Sequence, residues 1–307
     1  MIVSSVSGAS VPARRHRTAL LSAHTAAVLF GMTGILGALI SADATVITAG
    51  RALFALCTLM VIAAFQERSL IDDMTLRKAC TLLLGGTMLL AHWITFFVAI
   101  EKGGVAVATL GFASFPAFIA LLDLVIFRER LGKADVAQLG LVSLGLVLVV
   151  PSFDLADRGT LGLIWGLGSG FSFALLSVVN RRFTQGMPAL QVAFWQNVVV
   201  AVLILPFVLH VSRTVVLDMD GWAYLATLGI LCTGVSQFLF VKSLETLPAR
   251  NAGMIIALEP VYAIACAWWL FREVPAFHTL LGATLVILAS VMTAYMPLSK
   301  RRSTAPV

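Results

Sequence analysis

Ten nearly uncharged runs of about twenty residues leave this chain few folds to choose from. They lie at 18–39, 44–65, 79–100, 103–127, 134–151, 159–180, 189–210, 221–241, 251–271 and 274–296. A bilayer hydrocarbon core about 30 Å thick needs about 20 apolar residues per helix, so each run is long enough for a membrane pass. Only Arg51, Asp123 and Glu259 place a formal charge well inside a run. A transmembrane β-barrel would alternate apolar and polar residues over about ten positions. Leu139–Val150 and Val198–Leu205 are almost continuously apolar and show no alternation. The pattern predicts an all-α integral membrane protein. Composition agrees: 60% of residues are apolar and 12% charged, against roughly 45–50% and about 25% in soluble domains. A soluble enzyme, a nucleic-acid-binding protein and a disordered chain are disfavoured on that ground. The first run follows Arg14, Arg15 and Arg17 but is longer than a signal-peptide core, so it reads as a retained helix. The four cysteines lie in or at the ends of apolar runs, as packing residues do.

Lys and Arg in alternate connections set the orientation. Sixteen fall on the side that carries both termini, from Arg14, Arg15 and Arg17 through Arg77, Lys78, Arg181 and Arg182 to Lys300, Arg301 and Arg302. Four, Lys102, Arg158, Arg213 and Arg272, fall on the other. Both termini are therefore expected in the cytoplasm.

The halves repeat at a shift of 144. Glu101 meets Glu245, Pro116 meets Pro260, and Phe127-Arg128-Glu129 meets Phe271-Arg272-Glu273. Each set falls at the same point of its helix group, which makes five helices per half. Five is odd, so the second copy enters the membrane from the opposite side. Inverted repeats of this kind are a transporter architecture with a substrate site near the midplane. With Leu29-Phe30-Gly31 and Ile164-Trp165-Gly166 opening the halves, and Gly140, Gly145 and Gly282 in the helices after Phe-Arg-Glu, the chain resembles the EamA repeats of the drug/metabolite transporter superfamily. The resemblance covers about residues 18–296. It implies ten transmembrane helices as two inverted five-helix repeats, 18–151 and 159–296, between cytoplasmic tails at 1–17 and 297–307. It also implies a cell inner membrane location and export of small metabolites, amino acids and aromatic ones among them, with no cofactor.

Several residues are candidates for the transport path. Glu259 lies mid-run, where an ionised carboxylate is costly and a partner or water-filled cavity is the default expectation. It is a candidate for proton coupling, with a structural hydrogen bond as the alternative. Tyr262 follows at i+3 on the same face. Pro260 removes a helical hydrogen bond beside it. Its repeat mate Pro116 follows Phe115, so the carboxylate belongs to one half alone. His92 and Trp93 share the third run, opposite Ser236 and Gln237 in the repeat. His92 fits either a cavity or an interhelical hydrogen bond. Gln237, with Thr233 a turn earlier, forms a polar stripe. Trp165, Ser169 and Ser172 follow i, i+4, i+7 spacing, and Thr33 is expected to face the corresponding half. Gly31, Gly34, Gly37, Gly166 and Gly170 read as close helix packing. Asn197 and Gln196 read as interhelical hydrogen bonds. Arg51 is expected to snorkel to the outer surface, and Asp123 to pair with Arg128. A gating role for Arg128-Glu129 and Arg272-Glu273 is a further possibility beside helix anchoring.

No zinc-protease or nucleotide-binding motif appears. The expected function is a secondary transporter working by alternating access around Glu259, His92, Trp93, Gln237 and Tyr262. Its partners are a small-molecule solute, the lipid bilayer and, if coupled, protons, with no nucleic acid. The alternatives are an exporter of drugs or other metabolites, a membrane-embedded enzyme or lipid-handling protein using Glu259 with His92, and a passive channel.

Overall fold

In hydrocarbon a chain must satisfy its backbone hydrogen bonds internally, and helices do this throughout. The computed structural model describes residues 11–128, 132–149, 154, 156–211, 217–244, 246–247, 255–256, 258–272 and 276–295. The first half holds α1 (Val11–Leu39), α2 (Ala44–Phe65), α3 (Leu76–Phe112), α4 (Phe115–Phe127) and α5 (Lys133–Val149). The second holds α6 (Arg158–Phe183), α7 (Ala189–Val211), α8 (Met219–Gly229), a π-helical segment (Ile230–Val235), α9 (Ser236–Leu244), α10 (Glu259–Phe271) and α11 (Phe277–Tyr295). Polar residues set several helix starts. Asp43, Thr75, Asp157 and Asp218 each accept a hydrogen bond from a backbone N–H in the first turn of α2, α3, α6 and α8, as N-caps do.

Six helices among the described residues are long and apolar enough to cross a membrane, and Phe115–Ile126, Leu139–Leu148 and Leu280–Ala289 are shorter apolar helices. The difference from an even row of spans has a physical cause at two places. Gly104, at φ 79° and ψ 171°, kinks α3 at the boundary expected between the runs 79–100 and 103–127, but the second run is itself broken, since helix ends at Phe112 and resumes at Phe115 with Pro116 in its first turn. Glu259, expected in mid-helix, instead opens α10, with Pro260 in the first turn. Proline lacks the N–H that an interior turn needs but suits a helix start. The start of the run expected at 251–271, together with Glu129, Glu245, Glu273, residues 1–10 and the C-terminal tail, lies outside the described residues, whereas residues 11–17 of the expected N-terminal tail are helical in α1.

The repeat is visible in helix register. α4 and α10 are both 13 residues long, begin 144 positions apart and carry proline in the first turn. Each ends on a left-handed arginine, Arg128 at φ 53°, ψ 28° and Arg272 at φ 52°, ψ 26°. α5 and α11 also begin 144 apart. Packing follows the same equivalence. α3 runs along α6 while α1 runs along α8, the π segment and α9; α4 lies on α6 while α10 lies on α1. α2 packs on its own counterpart α7, and α5 on its counterpart α11. This is the contact pattern of two halves related by a pseudo-two-fold axis.

Small residues allow the closest approaches. A Cβ on Gly162 would stand 2.5 Å from the Gly103 Cα, and one on Gly166 3.0 Å from the Ala108 carbonyl oxygen. A Cβ on Gly170 would meet Ser114 Oγ at 2.8 Å. In α1, Gly31 faces Tyr262, Gly34 faces Val105 and Gly37 faces Phe97. The packing role expected for these glycines is what the structure shows. Bulky apolar side chains such as Val61, Val202, Phe207 and Trp269 lie exposed on the outside, where a bilayer solvates them.

The expected Asp123–Arg128 pair does not form. Asp123 on α4 instead accepts a hydrogen bond from Arg181 Nη2 on α6. Arg128 stands five residues on in the left-handed cap that ends the same helix, whereas α6 packs alongside α4.

Candidate functional site

Arg51 organises the interior. Sequence position placed it near an outer surface, but it is 5% exposed and points inward. Its guanidinium carbon lies 4.1 Å from the Trp93 ring centroid and 5.9 Å from that of Phe97. Its Nε donates to Thr233 Oγ1 at 2.6 Å. Snorkelling fails because the flanking chain is held in place. Gly50 abuts Leu225, and Gly229 abuts Phe54 and the Arg51 backbone, where an added Cβ would come 2.9 Å from the Arg51 carbonyl oxygen. α2 is thereby clamped against α8 and the π segment, with its arginine facing α3.

The π segment presents the partner hydroxyl. Thr233 Oγ1 donates to the Leu228 carbonyl, five residues back, at 2.9 Å while accepting from Arg51. Both functions of the hydroxyl are thus used and its orientation is fixed. Such π turns recur at functional sites. Cys232 is fully buried beside Thr233.

His92, on α3, faces α6. Its Nδ1 lies 2.7 Å from Ser169 Oγ, and that hydroxyl donates to the His92 carbonyl at 3.1 Å. With the serine proton committed to the carbonyl, Nδ1–H is the donor and Nε2 is left as the acceptor of the neutral ring. Three phenylalanines surround the imidazole, with centroids 6.1 Å away at Phe96, 5.0 Å at Phe112 and 5.1 Å at Phe173. Phe115, the repeat counterpart of Glu259, stacks on Phe112 at 5.2 Å. One half therefore presents an aromatic ring where the other presents a carboxylate.

Arg51 rests on Trp93, the neighbour of His92 on α3, and Glu259 opens α10 where its carbonyl faces Gly31 of α1. These groups stand on α2, α3 and α10, elements of both halves. Trp93, at 2% exposure, is the wall against Arg51. Gln237, half-buried on α9, accepts from Asn197 Nδ2 at 3.4 Å. Gln196 donates to Asn180 Oδ1 at 2.7 Å. The interhelical bonding expected of Asn197 and Gln196 is seen in both contacts, the first joining α7 to α9 and the second α7 to α6. Thr33 is 5% exposed, with no hydrogen-bond partner for its hydroxyl among the described residues. It stands one turn before Gly37 on the α1 face that meets Phe97. Tyr262 packs against α1 beside Ala19, Ala23 and Ala27. Trp165 is 41% exposed one turn before Ser169. The structure thus brings Trp93 onto Arg51 and Ser169 onto His92, adjoining residues of α3, while Glu259 and Tyr262 lie where α10 packs on α1 and Trp165 is partly exposed.

Sequence reasoning missed Arg51 and the box made by Phe96, Phe112 and Phe173. A signal for the first existed: an ionisable residue inside a membrane run is a functional candidate by default. The only opposite charges well inside runs were Asp123 and Glu259. No comparable signal marked the phenylalanines among 19 in the chain.

Two apolar cavities lie away from this centre. One of about 330 Å³ sits between α2, α7 and α8, lined by residues including Leu53, Phe54 and Trp222. Another of about 310 Å³ sits between α3 and α7.

Two helical repeats crossing a bilayer, with a charged and aromatic centre enclosed between them, define a polytopic membrane transport protein. The chain belongs to the EamA-like transporter family, which it matches over residues 17–150 and 160–295. It is a transporter of small molecules and not an enzyme. It is 24% identical over 227 residues to the transporter YxxF of Bacillus subtilis (strain 168), covering 72% of this chain and 71% of that one. It is 25% identical over 217 residues to the S-adenosylmethionine uptake transporter of Rickettsia felis, covering 69% and 71%. With the pseudopaline exporter CntI of Pseudomonas aeruginosa it shares 22% identity over 210 residues, covering 68% and 73%. A protein of known crystal structure superposes with a TM-score of 0.66 at 18% identity, over 90% of this chain and 96% of that one. That likeness is one of fold.

Proposed function

We propose that this chain is a secondary transporter that exports small metabolites, amino acids first among them, from the cytoplasm by alternating access. Its ten membrane passes form two oppositely oriented halves, 18–151 and 159–296, with both tails in the cytoplasm of a cell with an inner membrane. The carrying observation is the polar and aromatic centre between the halves. Arg51, Trp93, His92, Ser169 and Glu259 are contributed by both repeats, so rocking one repeat against the other alternates its access. Aromatic walls suit the apolar part of a solute. The charge asymmetry of the connections supports the orientation, and the breaks before α4 and α10 resemble the discontinuous helices of transporter sites. Relatives named as an S-adenosylmethionine uptake transporter and a pseudopaline exporter support a small-molecule substrate and leave other metabolites and drugs as the second reading.

Counterflow tests it. Proteoliposomes loaded with unlabelled amino acids should accumulate a subset of labelled ones saturably. No accumulation of any amino acid by folded protein in sealed vesicles overturns the amino-acid assignment, and a flux that never saturates indicates a channel. Glu259→Gln tests proton coupling, since it keeps the shape and removes the charge. Export driven by an inward proton gradient should fall at least about tenfold and lose its pH dependence, as expected for an intramembrane carboxylate in a relay. Unchanged rate and pH profile would remove Glu259 from coupling.

A further inference from the structure

Arg51 has spent only part of its bonding capacity. One of its five N–H donors goes to Thr233 and its flat face lies on Trp93. Neither Nη group has a hydrogen-bond partner among the described residues, and neither is among the polar atoms that are both fully enclosed and unpartnered. The Glu259 carboxylate is in the same position. The two groups make no contact ion pair among the described residues. A residue only 5% exposed thus keeps its bidentate edge open in an interior where an uncompensated charge is expensive. The stack on Trp93 and the bond to Thr233 fix the plane in which that edge lies.

From this geometry we infer that Arg51 is a specificity-determining residue: its Nη edge anchors the carboxylate of the transported solute, while Glu259 receives the solute's cationic group. A planar guanidinium matches a carboxylate with two parallel hydrogen bonds. With Glu259 ionised, Arg51 and Glu259 together are neutral, so a zwitterion leaves the centre neutral. A solute bearing only one charge carries that charge into a low-dielectric interior without compensation. The carrier therefore selects zwitterions over anions, amines and neutral amides of the same shape. This rests on the transporter reading above and deepens it by assigning the charged ends of the substrate.

The test uses the purified full-length protein and a panel of phenylalanine, phenylalaninamide, phenethylamine and 3-phenylpropionate, with the corresponding leucine derivatives. Thermal stabilisation and competition in counterflow are both measured. In the wild type a zwitterion should bind at least about tenfold more tightly than its carboxamide, which corresponds to about 1.4 kcal/mol. Arg51→Gln should reduce that preference to within about twofold. Thr233→Val, which leaves the charge and releases Nε, should weaken zwitterion binding about three- to tenfold and retain the preference. If Arg51→Gln does not fold, the wild-type panel and Thr233→Val decide the matter. Equal binding of acid and carboxamide, retention of the preference in Arg51→Gln, or no stabilisation by any zwitterion in the panel overturns the anchor. Zwitterion-selective stabilisation without counterflow supports the anchor and sinks the transporter reading. Counterflow of phenylalanine and its carboxamide at equal rates sinks the anchor and leaves the transporter reading standing.

Discussion

Trp93→Ala should abolish measurable counterflow and lower the melting temperature of the purified protein more than any other single truncation in the polar centre. The ring is one of the largest fully buried side chains, and its removal leaves a cavity between α2 and α3. Truncating a buried tryptophan costs about 3–5 kcal/mol in protein cores. The same change strips the Arg51 guanidinium of the aromatic face 4.1 Å beneath it, an attraction worth up to about 2 kcal/mol where it is desolvated. Trp93→Phe keeps a smaller π face and should fall between the two in both stability and transport. The order wild type, phenylalanine, alanine is the result to look for in parallel melts and counterflow assays. An alanine variant that transports at the wild-type rate would mean that the ring neither positions Arg51 nor lines the path.

Gly162→Ala should have the second-largest effect, and it acts through packing. The new methyl would stand 2.5 Å from the Gly103 Cα, 2.6 Å from its nitrogen and 3.1 Å from the Ala99 carbonyl oxygen. All three are backbone atoms, so no side chain can rotate away and α3 must separate from α6. Overpacking costs typically about 1–3 kcal/mol, and the upper part of that range is expected here. Because His92 reaches Ser169 across the same seam, the separation should also lengthen that hydrogen bond and reduce transport. Gly140→Ala is the control, since nothing lies within 4 Å of the position a Cβ would take there. Equal melting temperatures for the two variants would show that the α3–α6 contact is not limiting for stability.

Much of the helix layout was legible because membrane insertion is a matter of local composition and length. The repeat was legible because Pro116, Pro260 and the Phe-Arg-Glu pairs stand where backbone geometry is unusual: at helix starts and at left-handed ends. The helix breaks were only half legible. Pro260 signalled a disturbance beside Glu259, but hydropathy sees one apolar run and is blind to a backbone that stops being helical inside it. Arg51 was misjudged because its depth was estimated along its own helix. What holds it lies 42 residues away at Trp93 and 182 residues away at Thr233, joined through a π turn with no distinctive composition. Asp123 was assigned its neighbour in sequence when its partner lay across a helix interface. His92 and Ser169 were both singled out, although their contact, 77 residues apart, follows only from the glycine seam between α3 and α6.

The mutual packing of α5 and α11 has a consequence for biosynthesis. Gly145 of α5 rests against the Gly282 carbonyl of α11, so the face of α5 that meets α11, unlike the side that packs on Ala117 of α4, has no partner until the last helix has been made. At about 5–20 residues per second, that wait is on the order of ten seconds. During it α5 sits in the bilayer beside an unfinished neighbour. Truncation from the C-terminus should therefore strand α5 and mark the nascent chain for quality control, well before any residue of the transport path is lost.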